Sequence, residues 1–356
     1  MSKQKDNLNN DLEKLKALEN QLKKTYGANY YGITQKTEKA KTNFLLTEFN
    51  SLNYIFGEGL GFPLGKLIEI YGKPSSGKST ISYQLIAQCQ KQGKLVALID
   101  AENAYDEEYG LSLGIDPDML AIYTPNNAEN TINILREFVR SGLFSLVVID
   151  SIAALSTQQD IDKNAEEFSM AVLPRLLSKT LADICNSAAK NQCSIIAINQ
   201  TRDNISPYGS PVTTPGGNAL KFQASVRMQV TKKEVLKNGL DNYAIVSELK
   251  NVKNKVAKPY LTTNVTILFK YFDKQKNCFV AGIDPVQETI NLAIDLNVIV
   301  KKGSWFYFQD LKFQGLANCR EHFAENQTDR TKLKTQITDG CDLDGFHHKA
   351  ARSRKG

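Results

Sequence analysis

The sequence predicts an α/β fold built on a mostly parallel sheet, and three observations carry that expectation. Short apolar runs rich in β-branched residues alternate with longer helical stretches between about residues 65 and 270. One such run leads directly into a glycine-rich loop that opens a helix. Another ends in an acid, Asp150. Residues 66–71, 95–100, 146–150 and 194–199 read as buried strands, and 79–92, 131–141 and 170–191 as the helices between them. Successive parallel strands need a crossover helix, so this alternation implies a sheet covered on both faces. Strands expected over 225–232, 244–254 and 262–272 extend it.

The chain has 356 residues, which at roughly 100–200 residues per domain suggests about two domains. At 42% hydrophobic residues it can bury a sizeable core, which excludes wholesale disorder. Its longest apolar runs fall far short of the ~18–20 residues a membrane span needs. The first thirty residues carry charge throughout and lack an apolar core, so no secretory signal is expected. A cytoplasmic protein without a membrane partner is the expectation. The six cysteines show no C-x-x-C spacing and the three histidines supply no metal cluster, which points to reduced thiols. A net charge of +6 is compatible with a nucleic-acid partner but too mild to argue for one.

Four divisions are expected along the chain. Residues 1–42 are polar and lysine-rich, with Leu12, Leu15, Leu18 and Leu22 drawing one apolar stripe on a helix over about 10–25. So short a helix must dock that stripe on its own core or on a neighbouring subunit. Residues 43–275 form the core. Residues 276–335, with a helix over 285–296 and a strand over 305–308, form a small α+β domain, and 336–356 a basic tail expected to be disordered. Within the core, 157–169 is polar and acidic, and 201–217 is rich in Pro and Gly with neither helical nor strand period. Loops of that length inside a compact domain are usually functional or disordered.

The strongest motif is Gly72-Lys73-Pro74-Ser75-Ser76-Gly77-Lys78-Ser79, a match to G-x-x-x-x-G-K-[ST] placed after a strand and at a helix start. Its glycines let the backbone curl so that N–H groups face phosphate oxygens, and the helix N-terminus adds partial positive charge. Lys78 is expected to reach the β- and γ-phosphates and Ser79 to bind Mg²⁺, so the chain binds a nucleoside triphosphate. Asp150, at a strand end beside this loop, can hold the metal's water shell. Hydrolysis also needs a group that positions water, and Glu102, just beyond the strand ending at Asp100, is the better candidate there. Gln200 ends another strand at the same edge and leads into the second long loop, where an amide could sense the γ-phosphate.

Taken together, 72–79, 99–102, 148–155, 198–200, 214–222 and 252–255 resemble the bacterial RecA recombinase family, in order and in spacing. The segment Gly216-Gly217-Asn218-Ala219-Leu220-Lys221-Phe222 is the most specific part. The resemblance covers about residues 45–310. It implies a RecA-type phosphate-loop ATPase core with a mostly parallel central sheet, a short N-terminal helical segment and a small α+β C-terminal domain. It also implies a DNA-dependent ATPase that forms a homo-oligomeric helical filament on single-stranded DNA and pairs it with homologous double-stranded DNA, in recombination and repair. ATP and Mg²⁺ are the implied cofactors.

By the same resemblance, 72–79 and Thr80 bind nucleotide, Ser79 and Asp150 hold the metal, and Glu102 activates water. Asp106 and Tyr109 contact and stack on adenine, and Gln200 senses the γ-phosphate. The loops 157–169 and 201–215 line the DNA channel, with Met170, Arg175, Ser178, Arg202, Gly216 and Gly217 at DNA-contacting positions. Lys221, Phe222, Lys253 and Lys255 lie at the ATP-sandwiching interface, where the last two act in catalysis. Paired glycines would let a DNA backbone approach main-chain N–H groups, while the arginines supply phosphate charge.

Several positions depart from the family pattern: Pro74 for a usual Glu, Asn103 for a usual His, Ala182 for a frequent Arg, an acidic first loop, and a basic rather than acidic end. They suggest a divergent member, such as a phage-encoded one. Two other readings compete: a ring-forming helicase-type motor on the same core, and a filament scaffold that binds ATP without turnover.

Overall fold

The computed structural model describes residues 13, 14, 16–18, 20, 21, 24, 42–162, 172–203, 212–273 and 277–341. The chain divides into two units, Met1–Thr42 and Asn43–Gly356. In the first, the described residues between 13 and 24 are helical. Of the expected leucine stripe only Leu18 is among them; Leu12, Leu15 and Leu22 lie outside the described residues.

The second unit runs β1 (Phe44–Leu45), α1 (Asn50–Gly57), β2 (Phe62–Pro63), β3 (Leu67–Gly72), α2 (Lys78–Gln90), β4 (Leu95–Asp100) and α3 (Glu107–Ser112). It continues through β5 (Leu120–Tyr123), α4 (Ala128–Ser141), β6 (Phe144–Asp150), α5 (Gln158–Ile161), α6 (Val172–Asn191) and β7 (Ser194–Gln200). Next come β8 (Arg202–Asp203), β9 (Val212–Thr213), α7 (Gly217–Gln223) and the long strands β10 (Val226–Asn238), β11 (Asp241–Asn254) and β12 (Thr262–Asp273). The last elements are β13 (Cys278–Ile283), α8 (Pro285–Asp295), β14 (Val300–Lys302), β15 (Trp305–Phe308), β16 (Leu311–Gln314), α9 (Leu316–Glu325) and α10 (Gln327–Cys341).

One nine-stranded sheet organises the unit, in the order β13-β12-β11-β10-β3-β7-β6-β4-β5. Strands from β10 to β5 in that order pair in parallel, and β10 to β13 pair antiparallel. The apolar runs divide by parity. Ile68, Ile70, Val96, Leu98, Leu146, Val148, Ile196 and Ile198 face a core covered by α2 through Ile81, Leu85 and Ile86. Leu67, Ala97, Ile99, Val147, Ile149, Ile195 and Ala197 face the opposite core, covered by Ile132, Leu135 and Val139 of α4 and Leu177, Leu181 and Ile184 of α6. Side chains alternate across a strand, so a strand buried on both faces is apolar at nearly every position; the exception in β3 is the buried Glu69, which is paired with Arg227.

A third core, with Ile290, Phe306, Phe308, Phe323, Leu333 and Ile337, holds the C-terminal module together. Helix α10 therefore runs to Cys341, past the point where the sequence reading starts its tail, because Leu333 and Ile337, one turn apart, are both buried. The fully buried Glu288 of α8 joins this module to the core. Its carboxylate accepts the Asn50 (3.1 Å) and Ser51 (2.7 Å) backbone N–H groups at the start of α1, which Phe49 cannot cap with its own side chain.

The two loops are only partly described. In the first, Gln158–Ile161 forms a helical turn capped by Thr157, and Met170 lies outside the described residues. In the second, β8 and β9 pair antiparallel, so a stretch without visible periodicity has a short strand stem.

Candidate active site

The strand-end edge of the parallel sheet gathers most of the residues singled out in the sequence. Gly72 ends β3 where the β10 backbone crosses so closely that a Cβ would lie 2.1 Å from the Val230 carbonyl oxygen. Ser75 (φ 55°) and Gly77 (φ 95°) turn left-handed, which curls the loop between them. Gly77 then caps α2 without any side-chain hydrogen bond, leaving the first N–H groups of that helix to an anion. Lys73, Pro74 and Ser75 are exposed, whereas Ser76 and Lys78 are buried. Burial pushes the Lys78 ammonium down from its ordinary range, and the Asp150 and Glu102 carboxylates oppose that. Among the described residues this ammonium makes one hydrogen bond, to the Lys73 carbonyl (2.8 Å), and no carboxylate stands within ion-pair distance. A desolvated, unpaired cation under free helix N–H groups fits a phosphate chain.

The acids converge beside it. Asp150 ends β6, and its backbone carbonyl accepts the N–H of Ala101 (2.7 Å) and Glu102 (3.2 Å), which fixes the turn that follows β4. Asp150 is 6% exposed, and its carboxylate accepts a hydrogen bond from Tyr83 (3.1 Å). Burial pushes this carboxyl up; the Ser79 hydroxyl opposes the shift and Glu102 adds to it. Glu102 Oε1 accepts from the Ser151 hydroxyl (2.5 Å) and from the Gln200 amide (3.2 Å). Three strand ends thus bring Glu102, Asp150 and Gln200 together, and the Thr201 N–H on the Gly72 carbonyl (3.2 Å) ties the end of β7 to the phosphate loop.

Helix α3 flanks this group. Asp106 caps it by accepting the Tyr109 N–H (2.7 Å), and the Tyr109 hydroxyl meets Thr80 Oγ1 at 2.8 Å. An ion pair between Lys270 and Glu108 (2.8 Å) brings β12 against the same helix.

The expected interface residues form a separate cluster. The Lys253 ammonium donates to the carbonyls of Lys221 (2.6 Å) and Phe222 (2.9 Å), and Lys255 reaches the Phe222 carbonyl at 3.4 Å. Both lysines therefore sit on one side, at the C-terminal end of α7, where cations suit the helix dipole. Phe222 itself is 71% exposed.

The expected DNA-contacting residues divide into two kinds. Arg175 and Ser178 share an exposed face of α6, and Arg202 is exposed on β8. Gly216 (φ 87°) and Gly217 (φ 69°) are held by the fold itself: a Cβ would lie 3.0 Å from Leu177 Cδ1 at the first and 2.9 Å from Pro174 Cβ at the second. Their small size is required by packing on α6 and by left-handed backbone, whatever lies outside.

Two family models match: the RecA N-terminal domain over residues 13–272 and the RecA C-terminal domain over residues 287–341. This chain belongs to the RecA family. It is 38% identical over 289 residues to Protein RecA of Malacoplasma penetrans, covering 79% of this chain and 83% of that protein. It is 34% identical over 338 residues to Protein RecA of Clostridium acetobutylicum, covering 94% of each. The RecA protein of Cytophaga hutchinsonii is 36% identical over 352 residues, 97% of this chain and 96% of that one. RecA-family recombinases are DNA-dependent ATPases that use ATP with Mg²⁺ and form filaments on DNA. Among the described residues, no helix is long and apolar enough to cross a membrane.

Sequence reasoning missed Tyr83 in this RecA site, and the bond that Ser151, inside the segment 148–155, makes to Glu102. Tyr83 had a signal: it lies four residues after Ser79 on one helix, hence on the same face. The Ser151 bond had none, because its partner lies 49 positions away.

Proposed function

We propose that this chain hydrolyses ATP while assembled as a helical filament on single-stranded DNA, and that the filament pairs that strand with a homologous duplex. The observation that carries the reading is the convergence of Lys78, Asp150, Glu102 and Gln200 at one sheet edge in a chain of the RecA family. In this reading the curled loop from Gly72 to Ser79 and the N-terminus of α2 bind the phosphates, and Lys78 neutralises the β- and γ-oxygens. Ser79 and Asp150 would hold Mg²⁺, which when bound polarises the phosphoryl oxygens. Glu102 orients the attacking water and takes its proton. Gln200, which shares Glu102 Oε1 with Ser151, is placed to exchange that contact for the γ-phosphate and to pull on the stem of the second loop.

Arg175, Ser178 and Arg202 supply phosphate contacts to the DNA, a sequence-tolerant mode suited to pairing any homologous strands. Lys253 and Lys255 would leave the α7 carbonyls to meet a neighbour's ATP across the filament interface. The ring-forming motor gains nothing from the family match, which spans both the RecA core and its C-terminal module. Strand exchange between a circular single strand and a homologous linear duplex, with ATP and Mg²⁺, tests the proposal. Joint molecules and nicked circular product are the expected outcome; ATP hydrolysis without joint molecules would overturn it.

A further inference from the structure

The Asp150 carboxylate has an unusual companion. Tyr83, from the second turn of α2, is 5% exposed and donates its phenolic O–H to Asp150 Oδ2 at 3.1 Å. The ring is wedged edge-on against Tyr105 (centroids 5.7 Å apart, planes at 68°), and the Tyr105 N–H is itself held by Asp100 Oδ2 at 2.8 Å. The phenol therefore packs on a Tyr105 that the turn after β4 holds in place.

A buried carboxylate flanked by Asp100 and Glu102 has two like charges to repel it and few rotamers to escape into. A hydrogen bond to Oδ2 both offsets that repulsion and fixes the plane of the group. Groups that orient a metal-holding side chain in this way typically matter by about 10–100-fold in metal affinity.

We propose that Tyr83 is a positioning residue for the metal end of the site: it pins Asp150 Oδ2 so that the rest of the carboxylate faces the Mg²⁺ water shell. The inference rests on the metal role given to Asp150 under the proposed function. Tyr83 touches neither nucleotide nor metal, and it acts only through Asp150.

Tyr83→Phe keeps the ring and its contact with Tyr105 and removes one hydroxyl. The test is a Mg²⁺ titration of fluorescent ATP-analogue binding to the full chain, together with thermal unfolding, for wild type, Tyr83→Phe, Asp150→Asn and the double variant. The expected result is a Mg²⁺ midpoint raised about tenfold by Tyr83→Phe. Analogue binding without Mg²⁺ and the unfolding temperature should stay unchanged, and Tyr83→Phe should add no further shift on Asp150→Asn. A midpoint within twofold of wild type in Tyr83→Phe, beside a clear shift in Asp150→Asn, would overturn the role of Tyr83 alone. Additive shifts in the double variant would overturn it too, because Tyr83 would then act by another route. No shift in Asp150→Asn would remove the metal role of Asp150 and this inference with it.

Discussion

The parallel and antiparallel halves of the central sheet are covered differently, and the difference sorts stability from chemistry. In β3 every residue is buried, and β4, β6 and β7 are buried along nearly their whole length, between helices on both faces. In β10 buried and half-buried residues alternate, because Val226, Met228 and Val230 face the core and their neighbours do not. The outer face of β10–β12 instead lines an open cavity of 1160 Å³ against α8 and α9. A strand sealed on both sides can present functional groups only at its end, so β3, β4, β6 and β7 deliver Gly72, Glu102, Asp150 and Gln200 to one edge. The antiparallel half reaches that edge from the side: the Ser247 hydroxyl of β11 donates to the Ser76 carbonyl (2.9 Å), Val230 of β10 pairs with Gly72, and Ile267 of β12 lies against Gly77. It also carries Lys253 and Lys255, held at the end of α7.

This contrast is sharpest for rate. Lys78→Ala should lower ATP hydrolysis at least 10²–10³-fold, since a desolvated cation at the transferring phosphate is lost. Thermal unfolding should hold, because Lys78 makes one hydrogen bond and no ion pair among the described residues. Glu102→Gln should cost about 10²–10⁴-fold in kcat with fluorescent nucleotide still bound, as water is no longer activated. A near-wild-type turnover in either variant would break the assignment of chemistry to the parallel edge.

The antiparallel half is tested by complementation. Lys253→Ala/Lys255→Ala should bind nucleotide but lose DNA-stimulated hydrolysis, and so should Glu102→Gln. Mixed in equal amounts, the two inactive proteins should recover about a quarter of wild-type activity, because one interface in four pairs intact lysines with an intact Glu102 when both effects act locally. If co-assembled filaments stay inactive, the lysines serve only the end of α7. That structural role is small: a single Lys253→Ala should cost about 0.3–1 kcal/mol in thermal unfolding.

A smaller effect separates the two kinds of DNA-facing residue. Arg175→Ala/Arg202→Ala should reduce the salt dependence of single-strand binding, with the log–log slope falling by about 1.4 for two lost phosphate contacts. Gly216→Val, by contrast, should lower folding stability by about 1–3 kcal/mol, read as a fall in Tm without DNA. A Gly216→Val protein that unfolds like wild type yet loses DNA binding would restore a direct DNA role to that glycine.

How far the sequence could be read follows from the same physics. The four apolar strands and the phosphate loop were legible because burial on both faces leaves a nearly continuous apolar run, broken in β3 only by Glu69, and because phosphate binding demands a fixed local spacing. The short strands β5, β14 and β16 were not, although β15 between the last two was, since three or four residues carry little periodicity to separate from a loop. The tail was expected to begin too early because Leu333 and Ile337 lie in a polar helix, and only docking on the third core shows that they are anchors.

Residue by residue, the sequence alone determined what local geometry dictates: the loop from Gly72 to Ser79, the acid ending β6, the Glu beyond β4, and the alternation of the four apolar strands with their helices. The tertiary structure decided what depends on distant partners. It set Gln200 and Ser151 on one oxygen of Glu102, Tyr83 on Asp150, and Lys253 on the carbonyls ending α7. It also showed that Gly216 and Gly217 pair left-handed backbone with close packing on α6. A hydrogen bond between residues 98 positions apart leaves no period and no spacing in the chain that makes it, so only the folded backbone, by bringing strand ends to one edge, could reveal it.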